Sequence, residues 1–454
     1  MFNQAIRDIQ RLCVRLTALI ALMSPLASGQ SEAVKPQLWN PGQAVDILVY
    51  NPDKEPLKLP EPFTPSTLSE LYGPDVNENN LHTIKQDAGT LAPVFLSVGA
   101  NITFAITYAD DSNEGFNDPS LGQARRNAFQ YGASIWAALI QGPATVSVQA
   151  TMTPRGGSAT AAVLASSSPG QYHSDFTRAP YANTFYAETL VEIITGSDPD
   201  ANTFEINVDY NSDVDDPTVL GNMNWYYGTD ADPGNDVDFV TVTAHELAHG
   251  LGFIASFRSD GSYGIGSNSY PVIYDRFLVN GAGTALISLP TSAINVTGNN
   301  VFWNGLRGSY AYRNDFGGTG RLPMYAPTTW EGGSSIHHID EATFTGIWEL
   351  QTPYNDDAVH KPDLILLGIL QDIAHSLANS RYVDKNASGF EDGSSGHPFN
   401  TLNEGITNVP TGGSVRILPG SYNVQGIFTK KMKWHSSGGV AIIGTSSSLM
   451  EQNK

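Results

Sequence analysis

The residues with the clearest chemical potential form the run His245-Glu246-Leu247-Ala248-His249. Residues four apart share one face of an α-helix, so both imidazoles can point at a single ion. Zinc binds such nitrogen ligands, and an open coordination position leaves room for a water molecule. Glu246 stands next to the first histidine and can take a proton from that water. The spacing indicates a hydrolytic zinc site, and the alternative is two surface histidines on an amphipathic helix.

A zinc site of this kind needs a third protein ligand. The acidic residues that follow the motif, Glu331, Glu341 and Glu349, lack the spacing of a helical ligand pair. The histidines that follow it are His337, His338, His360, His375, His397 and His435. The adjacent pair in the run GSSIHHIDE (333–341) is favoured, because its Gly- and Ser-rich approach suits a loop that reaches under the metal. The residues themselves leave open whether His337 or His338 is the ligand.

A strand–helix–strand pattern precedes the motif and must position it. Alternation of apolar and polar residues predicts strands at Asn101–Tyr108, Ala144–Met152 and Thr203–Tyr210. Helical periodicity predicts a long helix over Leu121–Ile140 and a short one over Thr189–Ile194. The helix that carries the motif is expected over Asp238–Phe253, with Asp238 as its N-cap and with Gly250 and Gly252 ending it.

The runs HELAHGLGF, GSSIHHIDE and WELQTP, in this order, resemble the leishmanolysin-like branch of the metzincins, especially its secreted bacterial members. The resemblance covers roughly residues 99–380. It implies an α+β fold, in which a twisted sheet and an active-site helix are followed by a loop-rich C-terminal subdomain. It also implies that His245, His249 and His338 bind zinc and that Glu246 is the general base. His338 is preferred to His337 because the family places its ligand second, directly before an apolar–acidic pair.

One position departs from the pattern of this family. Its members usually have Leu-Met-Thr-Pro where this chain has Leu350-Gln351-Thr352-Pro353. The Met of that turn is an apolar floor beneath the metal rather than a ligand. A buried amide costs stability unless it is hydrogen-bonded. Gln351 is interpreted as a tolerated variant, because the four side chains of the site remain; a weakened or degenerate peptidase is the alternative.

The N-terminus has the pattern of a secretory signal peptide, expected over residues 1–29. Arg7, Arg11 and Arg15 precede an apolar run that ends in small residues. A membrane anchor needs about 20 apolar residues, and this run is shorter; no later segment is suited to span a bilayer. Cleavage removes Cys13, the single cysteine, so that the mature chain has no thiol. The Pro-rich stretch 30–98 is an N-terminal extension or a pro-segment, with strand character only at Val45–Tyr50.

The charge of the chain excludes one class of partner and leaves a second metal open. With 24 Lys and Arg against 45 Asp and Glu, the formal net charge is −21. The basic residues do not cluster, which argues against nucleic-acid binding. Aspartates concentrate at 209–216 and 230–238. Hard carboxylate oxygens suit a structural Ca²⁺, although neither stretch matches an EF-hand loop and solvated acidic turns are the preferred interpretation.

Residues 381–454 have a different character from the chain before them. Short β-rich runs separated by glycine turns, such as Val415–Tyr422, resemble the first coils of a parallel β-helix of the pectate-lyase type. Such a solenoid needs at least about three coils to bury its faces. A small β-rich appendage is therefore the alternative, and no catalytic role is assigned to this segment.

Together these patterns predict a secreted zinc endopeptidase, extracellular, periplasmic or at the cell surface, that acts on protein or peptide substrates. The expected organisation is a signal peptide (1–29), an extension (30–98), a catalytic domain (99–380) and a β-helix-like segment (381–454). Two alternatives remain: an adhesion or carbohydrate-binding protein whose zinc fold is a relic, and a zinc hydrolase of non-peptide bonds. The sequence does not predict an oligomeric state.

Overall fold

The computed structural model describes residues 49–50, 101–266, 269–344, 349–355, 358–424 and 428–444. The expected signal peptide lies outside the described residues. So does the extension, apart from Val49–Tyr50, which end the expected strand Val45–Tyr50. These two residues pair in parallel with Tyr354–Asn355.

The described elements are short, apart from one long helix and one long strand. The helices are α1 (Gly122–Leu139), α2 (Glu188–Thr195), α3 (Phe239–Gly250), α4 (Leu306–Asn314), α5 (Glu341–Phe344), α6 (Leu364–Asp372) and α7 (Leu402–Asn408). None of the helices in the described ranges is long and apolar enough to cross a membrane. The strands are β1 (Val49–Tyr50), β2 (Thr103–Tyr108), β3 (Ile140–Gln141), β4 (Thr145–Thr153), β5 (Ala165–Pro169), β6 (Tyr172–Ser174), β7 (Phe185–Ala187), β8 (Ile206–Asn211), β9 (Trp225–Tyr226), β10 (Val237–Asp238), β11 (Leu278–Val279), β12 (Phe302–Trp303), β13 (Leu322–Pro323), β14 (Tyr354–Asn355), β15 (Ser376–Leu377), β16 (Ser380–Val383), β17 (Ser414–Ile417), β18 (Gly420–Tyr422), β19 (Lys433–Ser436) and β20 (Ala441–Ile443).

A four-stranded sheet in the order β2-β4-β8-β5 supports the rest of the site-bearing region. β2, β4 and β8 run parallel, and β5 pairs antiparallel with β8. Burial alternates along β4, whose Val146, Val148 and Ala150 point into the core. The period of two follows from the pleat of a strand. The three strands predicted from alternation are confirmed, with their ends moved by up to three residues.

Helix α1 packs closely against α3, the helix that carries the histidine motif. A side chain at Gly132 of α1 would place its first carbon 2.6 Å from the Thr243 methyl group, so only glycine permits this approach. Trp136, also on α1, donates its indole N–H to the Ala244 carbonyl of α3 at 2.9 Å. On the opposite side, the Tyr210 hydroxyl of β8 donates to Thr243 at 3.1 Å. These contacts fix α3 between α1 and the sheet.

The start of α3 follows the sequence prediction, and its end at Gly250 falls three residues before the predicted Phe253. Asp238 is the N-cap, and its Oδ1 accepts a hydrogen bond of 2.7 Å from the Thr241 amide. The same oxygen lies 2.9 Å from Nε2 of His360. The helix ends at Gly250, and Gly252 takes a φ of +102°, which favours glycine. The chain therefore leaves the helix in one defined direction.

A buried carboxyl group anchors the chain that leaves α3. Asp275 accepts hydrogen bonds from the Ser256 amide at 2.9 Å and the Val272 amide at 3.0 Å, and also from the Ser256 hydroxyl. Burial nevertheless raises the pKa of Asp275 from 3.8 to about 6, because these hydrogen bonds do not fully replace the hydration of the charged form.

The raised pKa of Asp275 makes folding stability depend on pH. Below about pH 4 the carboxyl is protonated in both the folded and the unfolded chain. Between about pH 4 and pH 6 the unfolded chain releases this proton while the folded chain keeps it, so the free energy of unfolding falls as the pH rises. The full effect is on the order of 3 kcal/mol. Urea unfolding of the metal-free protein at several pH values should show this loss, and Asp275→Asn should remove it. The exposed control Asp111→Asn should keep the wild-type slope; parallel curves for wild type and Asp275→Asn would refute the assignment.

The segment after residue 380 has its own small core. The side chains of this core are Val383, Leu402, Val409, Val415, Ile417 and Tyr422. β16, β17 and β19 pair in parallel, and so do β18 and β20. The segment contacts the preceding region through Arg307, which hydrogen-bonds Ser437 at 3.3 Å and lies over the Tyr382 ring. The described fold is thus mixed α and β, with several small sheets, and the β-helix stays a prediction.

Candidate metal centre

Three buried imidazoles converge on one point. Nε2 of His245 lies 3.2 Å from Nε2 of His249 and 3.2 Å from Nε2 of His338. At most 1% of each residue is exposed. In the described part of the chain, this is the one group of three or more His, Cys, Asp or Glu residues whose ligand atoms lie within 4.8 Å of one another. The local helical pair is thereby joined by a histidine almost ninety positions away.

The other nitrogen of each ring is held by a backbone carbonyl. Nδ1 of His245 lies 2.6 Å from the Leu350 oxygen, and Nδ1 of His249 lies 2.7 Å from the Phe253 oxygen. Nδ1 of His338 lies 2.9 Å from the Ser334 oxygen. Because a carbonyl oxygen only accepts, each Nδ1 must carry the proton. In its neutral form, each ring therefore presents the lone pair of Nε2 to the common point.

This arrangement fits a metal ion better than it fits a hydrogen-bonded cluster. A tetrahedral zinc ion at about 2.0–2.1 Å from each nitrogen places the nitrogens about 3.3–3.4 Å apart, close to the observed spacing. Without a cation, neighbouring lone pairs repel each other, and protonating a ring would bury a positive charge. A histidine whose second nitrogen donates to a carbonyl is also the usual form of a metal ligand. The three nitrogens therefore suit zinc, and nitrogen donors favour it over Ca²⁺ or Mg²⁺.

The two adjacent histidines point to different places. His338 joins the cluster, and its backbone is fixed where the Tyr325 amide donates to its carbonyl at 2.9 Å. His337 does not join the cluster; its Nδ1 accepts from the Ala255 amide at 3.3 Å. Between Ser334 and His338 the chain is sharply turned, with a φ of +60° at Ile336. Of the two predicted candidates, the structure brings His338 to the helical pair.

Glu246 is fully buried on α3, one position after His245. Successive residues of an α-helix differ in direction by about 100°, so Glu246 leaves the helix beside the two histidines rather than between them. Its carboxylate also acts on the β8 side of α3. Burial raises the pKa of Tyr210 well above its usual value. The hydrogen bond to Thr243 opposes this rise, and the negative charge of Glu246 adds to it. Glu246 is thus a buried carboxyl group on the same helix as two of the three converging histidines.

The turn at Leu350–Gln351 contacts the surroundings of all three histidines. Besides the bond from His245 to the Leu350 carbonyl, the Gln351 carbonyl accepts from the Ile339 amide, next to His338, at 2.9 Å. The amide nitrogen of the Gln351 side chain lies 3.1 Å from Nε2 of His249. The nitrogen of this buried amide therefore has a partner, whereas its oxygen has none among the described residues.

A pair of acidic side chains braces the same turn. Glu349 is buried beside Asp363, and both burial and the neighbouring carboxylate raise the pKa of Glu349 well above its usual value. A protonated Glu349 donates to Asp363, whose Oδ1 accepts from the Ile365 and Leu366 amides as the N-cap of α6. The turn is thus tied to the start of a buried helix.

The other candidate ligands serve different partners. The aspartates near residue 215 accept from protein donors: Asp215 pairs with Arg125 at 2.8 Å, and Asp213 accepts from the Gly156 amide at 2.6 Å. His375 is buried against the Leu251 carbonyl, and burial lowers its pKa to about 4. A structural Ca²⁺ stays an untested prediction, and the acidic turns have protein partners of their own.

Sequence reasoning missed the carbonyls that orient the three rings. Those of Leu350, Phe253 and Ser334 carry no sequence signature, because every residue has a carbonyl oxygen. The Phe253 carbonyl alone has a local signal in the sequence: Phe253 lies four residues after His249, where a glycine turn brings the chain back towards the end of the helix.

A family described as SPBPB7E8-like matches residues 185–307, less than half of the chain. The matched range includes α3 with His245, Glu246 and His249, and it ends before His338. No curated protein matches the chain, and no solved structure matches it.

Proposed function

We propose that the protein is a zinc-dependent endopeptidase, of the leishmanolysin-like metzincin type, that hydrolyses peptide bonds with Glu246 as general base. One observation carries the proposal: three buried imidazoles direct their Nε2 atoms to one point, on and beside a helix that also bears a glutamate. The parallel strands behind α3 and the order of the three motifs in the sequence support the assignment to a metzincin-like fold.

A zinc ion bound by the three histidines supplies Lewis acidity towards a substrate carbonyl and promotes the ionisation of water. The chain itself handles the proton. A carboxylate oxygen of Glu246 accepts a proton from the attacking water, while the oxygen of this water bonds to the peptide carbon. Glu246 then returns that proton to the peptide nitrogen as the C–N bond breaks. The backbone carbonyls keep the imidazoles in one tautomer throughout.

We further propose that the mature protein acts outside the cytoplasm, as a secreted, periplasmic or cell-surface enzyme. The basic and apolar pattern of residues 1–29 supports this location. After cleavage the chain has no cysteine, so no thiol can be oxidised in such a location. Unfolded or flexible protein segments are the expected substrates, because an extended backbone is needed to reach a buried metal.

A second candidate function is a metal-binding protein that no longer catalyses. The contact between the Gln351 amide and His249 favours it, because a polar group at this place alters the surroundings of the metal. Intact Glu246 favours the enzyme. The two candidates agree on zinc binding and differ in whether peptide bonds are cleaved.

Chelation tests the proposed activity. We expect the purified protein to cleave an unfolded protein substrate, to lose cleavage in a zinc-selective chelator, and to regain it when zinc is restored. The reason is that the histidines alone offer no electrophile for the carbonyl. Fragment formation followed by mass spectrometry measures the effect. Cleavage that persists unchanged in metal-free protein, verified by elemental analysis, would contradict a zinc mechanism.

A further inference from the structure

The side chain of Gln351 is fully buried and points into the histidine cluster. Its nitrogen lies 3.1 Å from Nε2 of His249, and its oxygen is buried without a hydrogen-bond partner among the described residues. A buried polar atom without a partner is unfavourable, so this oxygen is expected to have a ligand of its own. The backbone of Gln351 is held by Ile339, so the residue cannot easily turn away.

The hydrogen bond to His249 and a bound metal would use the same lone pair of that ring. Nδ1 of His249 donates to the Phe253 carbonyl, so Nε2 offers a lone pair that the Gln351 amide N–H can use. A metal ion takes the same lone pair. The N–H group would then face a cation with no acceptor, and this orientation becomes unfavourable.

The amide has a second orientation with its oxygen in the place of its nitrogen. Rotation by about 180° about the last side-chain bond exchanges the two atoms. No donor among the described residues bonds to the Gln351 oxygen. The rotation therefore breaks only the hydrogen bond to His249, and a metal bound to His249 would break that bond as well. The spacing of 3.1 Å from His249 Nε2 is close to the 3.2 Å between the histidine nitrogens, and thus to a ligand–ligand spacing.

We propose that Gln351 contributes its side-chain amide oxygen as a fourth protein ligand to the metal held by His245, His249 and His338. In this arrangement the amide oxygen, and not the N–H group, faces the cation. Oxygen ligands occur beside histidine nitrogens at zinc, and zinc sites expand to five ligands during catalysis. A position for water therefore remains. This inference rests on the metal site of the proposed function but not on peptidase activity.

Metal affinity and cobalt absorption spectra test the role of Gln351. Chelator competition with Zn²⁺ should show affinity reduced by about 10- to 100-fold in Gln351→Met, because the thioether lacks the amide oxygen. In Co²⁺-loaded protein, loss of a ligand should change the position and intensity of the visible bands. Gln351→Glu keeps an oxygen at this position and should retain both tight binding and the wild-type band pattern.

Gln371 offers a matched control, since it is also a buried glutamine but bonds to Leu367 and Tyr382, away from the cluster. Gln371→Met should leave the affinity and the cobalt spectrum unchanged. Circular dichroism of the metal-free variants checks folding. If Gln351→Met does not fold, Gln351→Asn should show the same loss of zinc affinity, because its side chain is too short for the amide oxygen to reach the metal. Wild-type affinity and spectrum in the folded Met or Asn variant would overturn the fourth ligand. Absence of zinc binding by the wild-type chain would overturn the proposed metal site itself.

Discussion

Glu246→Gln should abolish peptide cleavage while the protein still binds one zinc ion. The amide has nearly the same shape as the carboxylate but cannot accept a proton from water. General acid–base catalysis contributes about 10²- to 10⁴-fold to such reactions, and we expect a loss of this size in kcat. Zinc content should stay at the wild-type value, because Glu246 is not one of the three converging residues. Initial rates with an unfolded substrate and elemental analysis of the same sample measure both quantities.

A matched substitution separates catalysis from a general effect of removing a carboxylate. Glu114 is exposed on the surface before α1, and Glu114→Gln should keep wild-type rates. Equal activity in Glu246→Gln and in the wild-type protein would exclude Glu246 as the base. If neither protein cleaves any substrate while both bind zinc, the non-catalytic alternative is correct.

His338→Ala should lose zinc, whereas His337→Ala should keep it. Removing one of the three protein ligands leaves two nitrogens and a buried cavity. We expect the zinc affinity to fall by more than about 100-fold, which exceeds the usual effect of losing a residue that only hydrogen-bonds a ligand. His337 points instead to the Ala255 amide, so its loss should alter stability more than metal binding. Zinc stoichiometry and chelator competition on the two variants provide the comparison.

These two substitutions are neighbours in sequence and therefore control each other. Both remove an imidazole from a buried position in the same turn, with exposures of 7% for His337 and 0% for His338. A general loss of structure would lower zinc binding in both. Zinc loss in His337→Ala alone would show that the other histidine is the ligand.

The local part of the site could be predicted from the sequence, because its determinants lie within a few residues of one another. Helix α3, its Asp238 cap and the common face of His245 and His249 follow from spacing and helical geometry. Helix α1 also follows from periodicity, because its bounds Gly122–Leu139 lie within one residue of the predicted Leu121–Ile140.

The remainder depends on contacts between distant parts of the chain. The residues alone do not distinguish His337 from His338; in the fold, with its turn at Ile336, His338 joins the cluster and His337 contacts Ala255. Gln351 departs from the family pattern in the sequence itself, but its contact with His249 depends on how residues 349–351 pack against Asp363 and Ile339. Hydrogen bonds from ring nitrogens to carbonyls leave no trace in residue identity, since they are made to the backbone.

The most direct test of the account is to locate the metal itself. Crystals of the wild-type protein, purified and then supplied with one equivalent of zinc, should be measured on both sides of the zinc absorption edge. We predict one strong anomalous peak bounded by the Nε2 atoms of His245, His249 and His338. A map with no peak among these three imidazoles, or with zinc bound only elsewhere, would contradict the central claim that they form a metal site.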